Sequence, residues 1–253
     1  MRRILGLSER YLRNVAIPGF GEQGQARLES SGVLVAGLGG LGSPAAYYLA
    51  AAGVGTLGLL DSDVVEESNL QRQLLHATPD IGRAKTDSAA EAITALNPNV
   101  KIHLIRERIT AGNVRDLIRD YDVVVEASDN FPTKFLINDA CVGLRKPFAT
   151  AGILGLSGQA QFVAPGLTAC LRCAVPEPPQ PPDGVPGVLG AAPGVMGSLE
   201  AMEVIRWLVG LWKPHRDGAA LLHCLDGDSM RLKTLRVLPR RGCACGAWSK
   251  LNG

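Results

Sequence analysis

The chain alternates between short apolar runs, typical of buried strands, and longer stretches with helical spacing. Residues 33–36 form an apolar, β-branched run of the kind found in strands buried on both faces. Ser43 and Pro44 then predict a helix, with Ser43 as its cap and Pro44 in the first helical position, and Gly53 predicts its end. A second strand is expected over residues 57–60, so this region predicts a β-α-β unit.

The same alternation continues along the chain. We expect helices over residues 4–30 (broken at Pro18 and Gly19), 83–96, 111–119, 133–144 and 195–208, and strands over residues 100–105, 122–127, 147–152, 158–164, 220–226 and 230–237. Residues 174–193 are rich in proline and glycine, which predicts an irregular crossing loop. The pattern indicates an α/β fold with a doubly wound, Rossmann-like, mainly parallel sheet that continues into antiparallel strands.

The charge and the apolar segments of the chain narrow the classes of protein to which it can belong. The net charge of +2 does not favour a nucleic-acid partner. The stretch between Glu29 and Asp61 carries no charge, but glycines interrupt it and its periodicity changes, so it predicts a buried core rather than a membrane span. The N-terminus shows no long apolar segment, and we expect a cytoplasmic protein.

A nucleotide-binding fingerprint follows the first strand. Gly37, Gly39 and Gly42 form a G-x-G-x-x-G motif with an extra glycine at Gly40, and Asp61 lies about 19 residues further on. Backbone N–H groups at such a turn bind phosphate, and the acid accepts a ribose hydroxyl. The motif alone does not distinguish a dinucleotide from ATP, and a glycine turn can also serve only close packing.

Charged and amide side chains cluster at predicted carboxyl ends of strands. Asn69, Arg72 and Gln73 follow the second strand, Lys85 begins the next helix, and Asp129 follows the fourth strand. Taken singly, each is an ordinary surface residue. Together they suit a triphosphate with Mg²⁺, because that ligand needs cations and a carboxylate for the metal.

Several motifs carry a family resemblance. The segments GLGGLGS (37–43), DSD (61–63), SNLQRQ (68–73), DIGRAK (80–85), LNP (96–98) and SDN (128–130) stand in order. As a set they resemble the MoeB/ThiF/HesA adenylyltransferases, the bacterial form of the ubiquitin-activating-enzyme superfamily. The resemblance extends from Arg10 to Gly246, nearly the whole chain.

The resemblance implies site residues. The implied catalytic residues are Arg13, Arg72, Lys85 and Asp129, and Asp129 would also bind Mg²⁺. Arg13 would act as an arginine finger across the interface of a homodimer. The implied ATP-binding residues are Gly37, Gly39, Gly40, Gly42, Asp61, Asp63, Asn69, Arg72, Gln73, Lys85, Asp129 and Asn130.

The resemblance also implies a reaction. ATP would adenylate the C-terminal glycine of a ubiquitin-like sulfur carrier of the MoaD/ThiS type, releasing pyrophosphate, in molybdopterin, thiamine or tRNA thiolation. We expect a helical arm over residues 1–30, an ATP-binding adenylation domain over 31–165, and a carrier-binding and zinc-binding portion of the same compact domain over 166–253. Some relatives carry a cysteine in the crossing loop, but residues 174–222 contain none, which favours sulfur delivery by a separate sulfurtransferase.

The cysteine spacing suggests a metal. Cys170 and Cys173 form a C-x-x-C pair, and the family's structural zinc site has a second such pair near the C-terminus. Here the second pair, Cys243 and Cys245, is shortened to C-x-C. The sequence therefore predicts a tetrathiolate zinc tail, with four free thiols or partial occupancy as the alternative.

Two other functions remain open at this point. A nicotinamide-dependent oxidoreductase shares the glycine fingerprint but has no need of Arg72, Lys85 and Asp129. A non-catalytic scaffold that docks a ubiquitin-like protein would keep the fold without needing the phosphate-site residues.

Overall fold

The computed structural model describes residues 9–180, 184 and 186–247. A single eight-stranded sheet forms the centre of the fold, with strand order β3-β2-β1-β4-β5-β6-β7-β8. Its strands are β1 (Gly32–Ala36), β2 (Thr56–Leu60), β3 (Lys101–Ile105), β4 (Val123–Glu126), β5 (Phe148–Leu154), β6 (Ser157–Val163), β7 (Ala220–Asp226) and β8 (Arg231–Val237).

The direction of the strands changes partway across the sheet. Strands β1 to β5 pair in parallel, whereas β6, β7 and β8 are each antiparallel to the strand before them. The predicted fold class, a Rossmann-like sheet that becomes antiparallel, is thus confirmed. The chain order reverses between β1 and β4, and open α/β sheets bind ligands at the carboxyl ends of strands beside such a reversal.

Helices cover both faces of the sheet. They are α1 (Leu12–Val15), α2 (Gly21–Ser30), α3 (Gly42–Ala52), α4 (Lys85–Leu96), α5 (Val114–Arg119), α6 (Phe131–Leu144), α7 (Leu171–Ala174) and α8 (Ala191–Leu208). Side chains of α3, α4 and α8 pack with one core, exemplified by Leu49, Ile93 and Met196. Side chains of α5 and α6 pack with the other, exemplified by Ile118 and Ile137. None of the helices in the described part of the chain is long and apolar enough to cross a membrane.

The glycine-turn helix begins earlier than the sequence predicts. Helix α3 starts at Gly42, and Ser43 is not its cap but lies buried inside the first turn. Gly42 permits this because a Cβ there would lie 1.9 Å from the Gly37 carbonyl oxygen. The turn and the helix are therefore one tightly packed unit, and Pro44 is tolerated because it lies within the first turn of the helix.

The region after β6 also departs from expectation in detail. Helix α8 begins at Ala191 rather than residue 195, since Pro193 fits the first turn of a helix. The short helix α7 was not predicted. Between these helices, residues 175–180 and 186–190 contain no helix or strand, and Val188 makes an isolated bridge to Gly155. Residues 181–183 and 185 of the predicted crossing loop, residues 4–8 of the predicted N-terminal helix, and the ends of the chain lie outside the described residues.

Candidate functional site

A cleft of about 1270 Å³ opens along the carboxyl edge of the sheet. The glycine turn and the strand ends of β2 and β4 line one end. Strands β5, β6 and β7 line the other, and residues 186–188 of the crossing loop also border it. The cleft is therefore at the position where the reversal of strand order predicts a ligand.

The glycines of the turn divide into two roles. Gly37 has a φ of 101°, and a Cβ there would lie 2.7 Å from the Ala127 carbonyl oxygen, so the fold itself requires glycine. Gly42 is required for the same reason, but it does not line the cleft. Gly39 and Gly40 do line it. Gly37 lines it as well, but a Cβ would come no closer than 3.6 Å to another atom at Gly39 and 3.2 Å at Gly40, so neither shows the backbone clash found at Gly37 and Gly42. We assign Gly39 and Gly40 to ligand contact.

Asp61, which directly follows β2, is hydrogen-bonded to the glycine turn. The Leu38 N–H donates to Asp61 Oδ2 at 2.8 Å, and the Asp63 N–H donates to Asp61 Oδ1 at 2.9 Å. Lys85 Nζ lies 3.1 Å from Asp63 Oδ2, with the lysine 8% and the aspartate 60% exposed. The structure therefore places the buried ammonium group of Lys85 and the hydrogen-bonded carboxylate of Asp61 at the wall of the cleft, beside the glycine turn.

The loop after β2 contributes one half-buried cation and one buried amide to the lining. Arg72 is half-buried and donates to the Ser68 carbonyl at 3.0 Å. Gln73 is 5% exposed, and its Oε1 has no partner among the described residues. A buried polar atom without a partner is uncommon, and at a ligand cleft it indicates a place for a ligand donor.

Asn69 lies apart from the other predicted residues of this loop. It is buried and lies outside the lining of the cleft. Its Oδ1 accepts from the Glu66 N–H at 3.1 Å, which stabilises the turn that presents Arg72. Contact between Asn69 and a phosphate stays a prediction.

The end of β4 presents a free carboxylate. Asn130 caps helix α6, because its Oδ1 accepts from the Thr133 N–H at 2.9 Å. Its Nδ2 donates to Asp129 Oδ1 at 3.2 Å. Asp129 is exposed at the cleft and makes no ion pair among the described residues, so its carboxylate is available to a cation.

A buried ion pair beneath Asp129 was missed from the sequence. Lys134 Nζ lies 2.8 Å from Glu126 Oε2, and the Thr150 hydroxyl donates to the same oxygen at 2.6 Å. The Ser128 N–H and hydroxyl both donate to the other oxygen of Glu126. Because Ser128 precedes Asp129, the pair orients the backbone that presents Asp129. A charged residue ending the apolar strand β4 was the signal available in the sequence.

Glu200 on α8 is a second buried acid, and it is unpaired. It is 1% exposed, and neither of its carboxyl oxygens has a hydrogen-bond partner among the described residues. Burial raises the pKa of Glu200 well above its ordinary value; Lys134 opposes this and Glu126 adds to it. The group is therefore a neutral acid across a range of pH in which an exposed glutamate is charged.

Replacing Glu200 is expected to change how stability depends on pH. The folded chain retains a proton that the unfolded chain releases above about pH 4.3, so stability falls as pH rises from there towards the folded pKa, by about 1.4 kcal/mol per unit. Glu200→Gln removes this loss and is expected to be more stable than the wild type at pH 8 but not near pH 4. Urea unfolding across this range tests it. Glu203→Gln is the control, since that carboxylate pairs with Arg206. Identical pH profiles for Glu200→Gln and the wild type would contradict the assignment.

Arg13 is not part of the cleft of its own chain. It is exposed on α1, and the neighbouring Tyr11 is anchored at the opposite edge of the sheet. There the Tyr11 hydroxyl accepts from Asn97 Nδ2 at 2.9 Å, and its ring packs against Gly53 at the end of α3. The structure therefore does not bring Arg13 together with the other predicted site residues of its own chain, and its role across an interface stays a prediction.

The four predicted cysteines come together. Their Sγ atoms all lie within 4.8 Å of one another, with Cys170 and Cys243 3.6 Å apart and Cys173 and Cys245 3.8 Å apart. Tetrahedral zinc with bonds of about 2.3 Å needs sulfurs about 3.8 Å apart, so the donor set fits and the C-x-C spacing does not prevent it. The Arg240 N–H donates to Cys173 Sγ at 3.4 Å. The hydrogen bond between the Cys170 and Cys173 thiols lowers the pKa of Cys173 and raises that of Cys170.

Comparison with solved structures finds proteins that share this fold. Escherichia coli MccB solved with ATP superposes with a TM-score of 0.83 over 96% of this chain and 75% of its own, at 21% identity. MccB solved with AMPCPP and MccA gives a TM-score of 0.81 over 92% of this chain and 73% of its own, at 22% identity. At this level of identity the likeness shows the fold.

Comparison with curated sequences gives nearer relatives. The adenylyltransferase and sulfurtransferase MOCS3 of Drosophila willistoni is 46% identical over 237 residues, 92% of this chain and 51% of the relative. That of Bos taurus is 45% identical over 243 residues, 94% of this chain and 53% of the relative. The chain thus spans about half the length of these relatives. The ThiF family model matches residues 11–247, and the chain belongs to the ThiF family.

Proposed function

We propose that the protein adenylates the C-terminal glycine carboxylate of a ubiquitin-like sulfur carrier, consuming ATP and releasing pyrophosphate. The observation that carries this is the grouping of Lys85, Arg72 and the free carboxylate of Asp129 around the glycine turn. A diphosphate on a helix N-terminus does not require this grouping, whereas a triphosphate with a metal does.

The relatives support the same reaction. The curated relatives are named adenylyltransferases and sulfurtransferases, and one neighbouring structure contains ATP. The match covers about half of the named relatives, so it supports the adenylation step of this proposal. Sulfur would then come from a separate sulfurtransferase, as the absence of cysteine from residues 174–222 suggests.

The mechanism needs charge neutralisation more than proton transfer. The carrier's carboxylate is already ionised at neutral pH and can attack the α-phosphorus without a general base. Gly39 and Gly40 would donate backbone N–H groups to phosphate, and Asp61 would hold the ribose. Arg72 and Lys85 would offset the negative charge that develops as pyrophosphate leaves. For this, Lys85 would break its ion pair with Asp63 and pair with phosphate instead. Mg²⁺, when bound by Asp129, would neutralise further phosphate charge.

Carrier-dependent exchange of labelled pyrophosphate into ATP tests the function. We expect exchange with a carrier that ends in Gly-Gly and none with the same carrier lacking these glycines. Binding of ATP with Mg²⁺, but not of NAD, is the accompanying control against an oxidoreductase. ATP binding without exchange on any Gly-Gly carrier would instead favour a scaffold.

We further propose that the protein is a homodimer in which Arg13 completes the partner's cleft. Arg13→Ala is then expected to lower exchange by roughly 100-fold or more. Mixing Arg13→Ala with Asp129→Ala, after subunit exchange, should restore roughly a quarter of wild-type activity, since half of the dimers then hold one intact cleft. Full activity of Arg13→Ala, or no recovery on mixing, would show that the arginine does not act across an interface.

We also propose that Cys170, Cys173, Cys243 and Cys245 hold a structural zinc ion. The fit of the four sulfurs to tetrahedral zinc supports this. Such an ion would fix the segment after β8 to the segment that carries α7, next to the wall of the cleft. Closed tetrathiolate sites leave no position for substrate, so the ion would stabilise the fold without taking part in adenylation.

A further inference from the structure

A buried histidine lies behind the glycine turn, outside the lining of the cleft. His76 is 6% exposed and lies in the loop between β2 and α4. Its Nε2 is 3.1 Å from the Leu38 carbonyl oxygen, and its Nδ1 is 2.9 Å from the Ser88 hydroxyl. Leu38 belongs to the glycine turn, whereas Ser88 belongs to α4, the helix that begins at Lys85. His76 thus connects the turn to the helix that carries the buried cation of the cleft.

The two partners of His76 decide which ring nitrogen carries the proton. A carbonyl oxygen can only accept a hydrogen bond, so Nε2 is the donor to Leu38. In the neutral ring Nδ1 is then an acceptor, and the Ser88 hydroxyl donates to it. The other acceptor near that hydroxyl, the Leu75 carbonyl, is further away at 3.5 Å. Burial lowers the pKa of His76 below its ordinary value, so the ring is neutral at neutral pH.

Leu38 is held at both of its backbone polar groups. Its N–H donates to Asp61, and its carbonyl accepts from His76 and, at the longer distance of 3.5 Å, from the Ser43 hydroxyl. The peptide bond between Leu38 and Gly39 is trans, and in a trans peptide the C=O and the N–H point in opposite directions. Because the Leu38 carbonyl points at a buried ring, the Gly39 N–H points away from that ring.

The Gly39 N–H is available to a ligand. Gly39 lines the cleft, and its N–H makes no hydrogen bond within the part of the chain that the structure describes. Its carbonyl differs, because it accepts from the Ser43 N–H at 2.9 Å. An unpaired peptide N–H at the wall of a cleft, directed away from the protein interior, is suited to an anionic oxygen such as that of a phosphate.

We propose that His76 is a positioning residue for the nucleotide: by holding the Leu38 carbonyl in the interior, it turns the Gly39 N–H towards the phosphates of ATP. His76 acts through Leu38, since it does not itself line the cleft. Without this hydrogen bond the peptide is free to rotate and to present its carbonyl oxygen, whose partial negative charge repels phosphate. The proposal rests on the proposed function and adds the residue that preorganises one of its phosphate donors.

Two substitutions separate the two hydrogen bonds of His76. The amide nitrogen of glutamine lies as far along its side chain as Nε2 of histidine, and that of asparagine lies as far as Nδ1. His76→Gln therefore keeps a donor for Leu38, whereas His76→Asn keeps one only for Ser88. In calorimetric titration, His76→Asn should bind ATP with Mg²⁺ about 10-fold more weakly or worse, and His76→Gln within about threefold of the wild type. Wild-type affinity of His76→Asn, or equal losses in both variants, would overturn the proposal.

The amide proton of Gly39 gives a signature that a mere packing role of His76 would not change. In ¹⁵N-labelled protein, ATP with Mg²⁺ should move the Gly39 amide proton downfield as it bonds to phosphate. This shift should persist in His76→Gln and be lost in His76→Asn. The ring nitrogens of His76 in the wild type, measured without nucleotide, should show a proton on Nε2. A ring protonated at Nδ1 alone, or the full Gly39 shift in His76→Asn, would contradict the proposal.

The matched control is His103→Asn, since His103 is exposed on β3 and does not line the cleft. It should leave ATP affinity and the Gly39 shift unchanged. The ring measurement uses the wild type, so it decides the role of His76 even if a variant fails to fold. ATP binding without carrier-dependent exchange would contradict adenylation alone. Exchange by the wild type together with an unchanged KM for ATP in His76→Asn would leave adenylation standing and exclude the positioning role.

Discussion

Replacement of Asp129 by alanine is expected to lower carrier-dependent ATP–pyrophosphate exchange by roughly 100- to 1,000-fold. The reason is that this exposed carboxylate ends β4 beside the glycine turn and has no ion-pair partner among the described residues. Its loss would remove the proposed Mg²⁺ ligand. The phosphate charge that the metal would neutralise would then remain uncompensated. Initial rates of exchange with saturating carrier measure the effect.

The structure indicates that this variant keeps its fold. Asn130, rather than Asp129, caps helix α6, so helix stability does not depend on the altered side chain. Thermal unfolding should therefore match the wild type, and Asp228→Ala, an exposed acid after β7, should keep full activity. Exchange within threefold of the wild type would remove Asp129 from the mechanism.

Removal of metal from the cysteine cluster is expected to have the largest effect on stability. A bound zinc ion contributes its binding free energy to the folded state, and losing several kcal/mol lowers the Tm by on the order of 10 °C in a chain of this size. Metal analysis should give one zinc per chain. Treatment with a thiol-reactive mercurial should release it together with that fall in Tm.

Single substitutions test the cluster without chemical treatment. Cys243→Ser should lose zinc and Tm together, whereas Cys224→Ser, which alters a thiol outside the cluster, should change neither. A purified wild type with four titratable thiols in this cluster and no metal would refute the zinc proposal. The cluster would then be a set of packed free cysteines.

Local sequence signals predicted most of the fold because they act over short distances. The order of the helices and strands could be predicted from the apolar runs of β1 and β4 and from the proline- and glycine-rich crossing loop. The predicted start of α3 was two residues late because Ser43 and Pro44 were interpreted as a cap and a first helical residue. The close approach of Gly42 to Gly37 decides the start instead, and it becomes visible only when the turn is folded.

Site residues that belong to motifs at strand ends could be predicted from the sequence. Residues whose role depends on how the fold buries them were harder to predict. Lys85, Arg72 and Asp129 do converge on the cleft. Asn69 stands among them in the sequence, yet it is buried and stabilises its own loop. Glu200 went unnoticed because no spacing rule indicates that an acid on a helix faces the core without a partner.

Isotope transfer from the carrier tests the central claim most directly. The carrier is prepared with ¹⁸O in its C-terminal carboxylate and incubated with the protein, ATP and Mg²⁺, and hydroxylamine then captures the acyl group. Attack of the carboxylate on the α-phosphorus places one carrier oxygen on AMP, so mass spectrometry should find AMP with a single ¹⁸O. Unlabelled AMP, or ADP as the nucleotide product, would contradict the account.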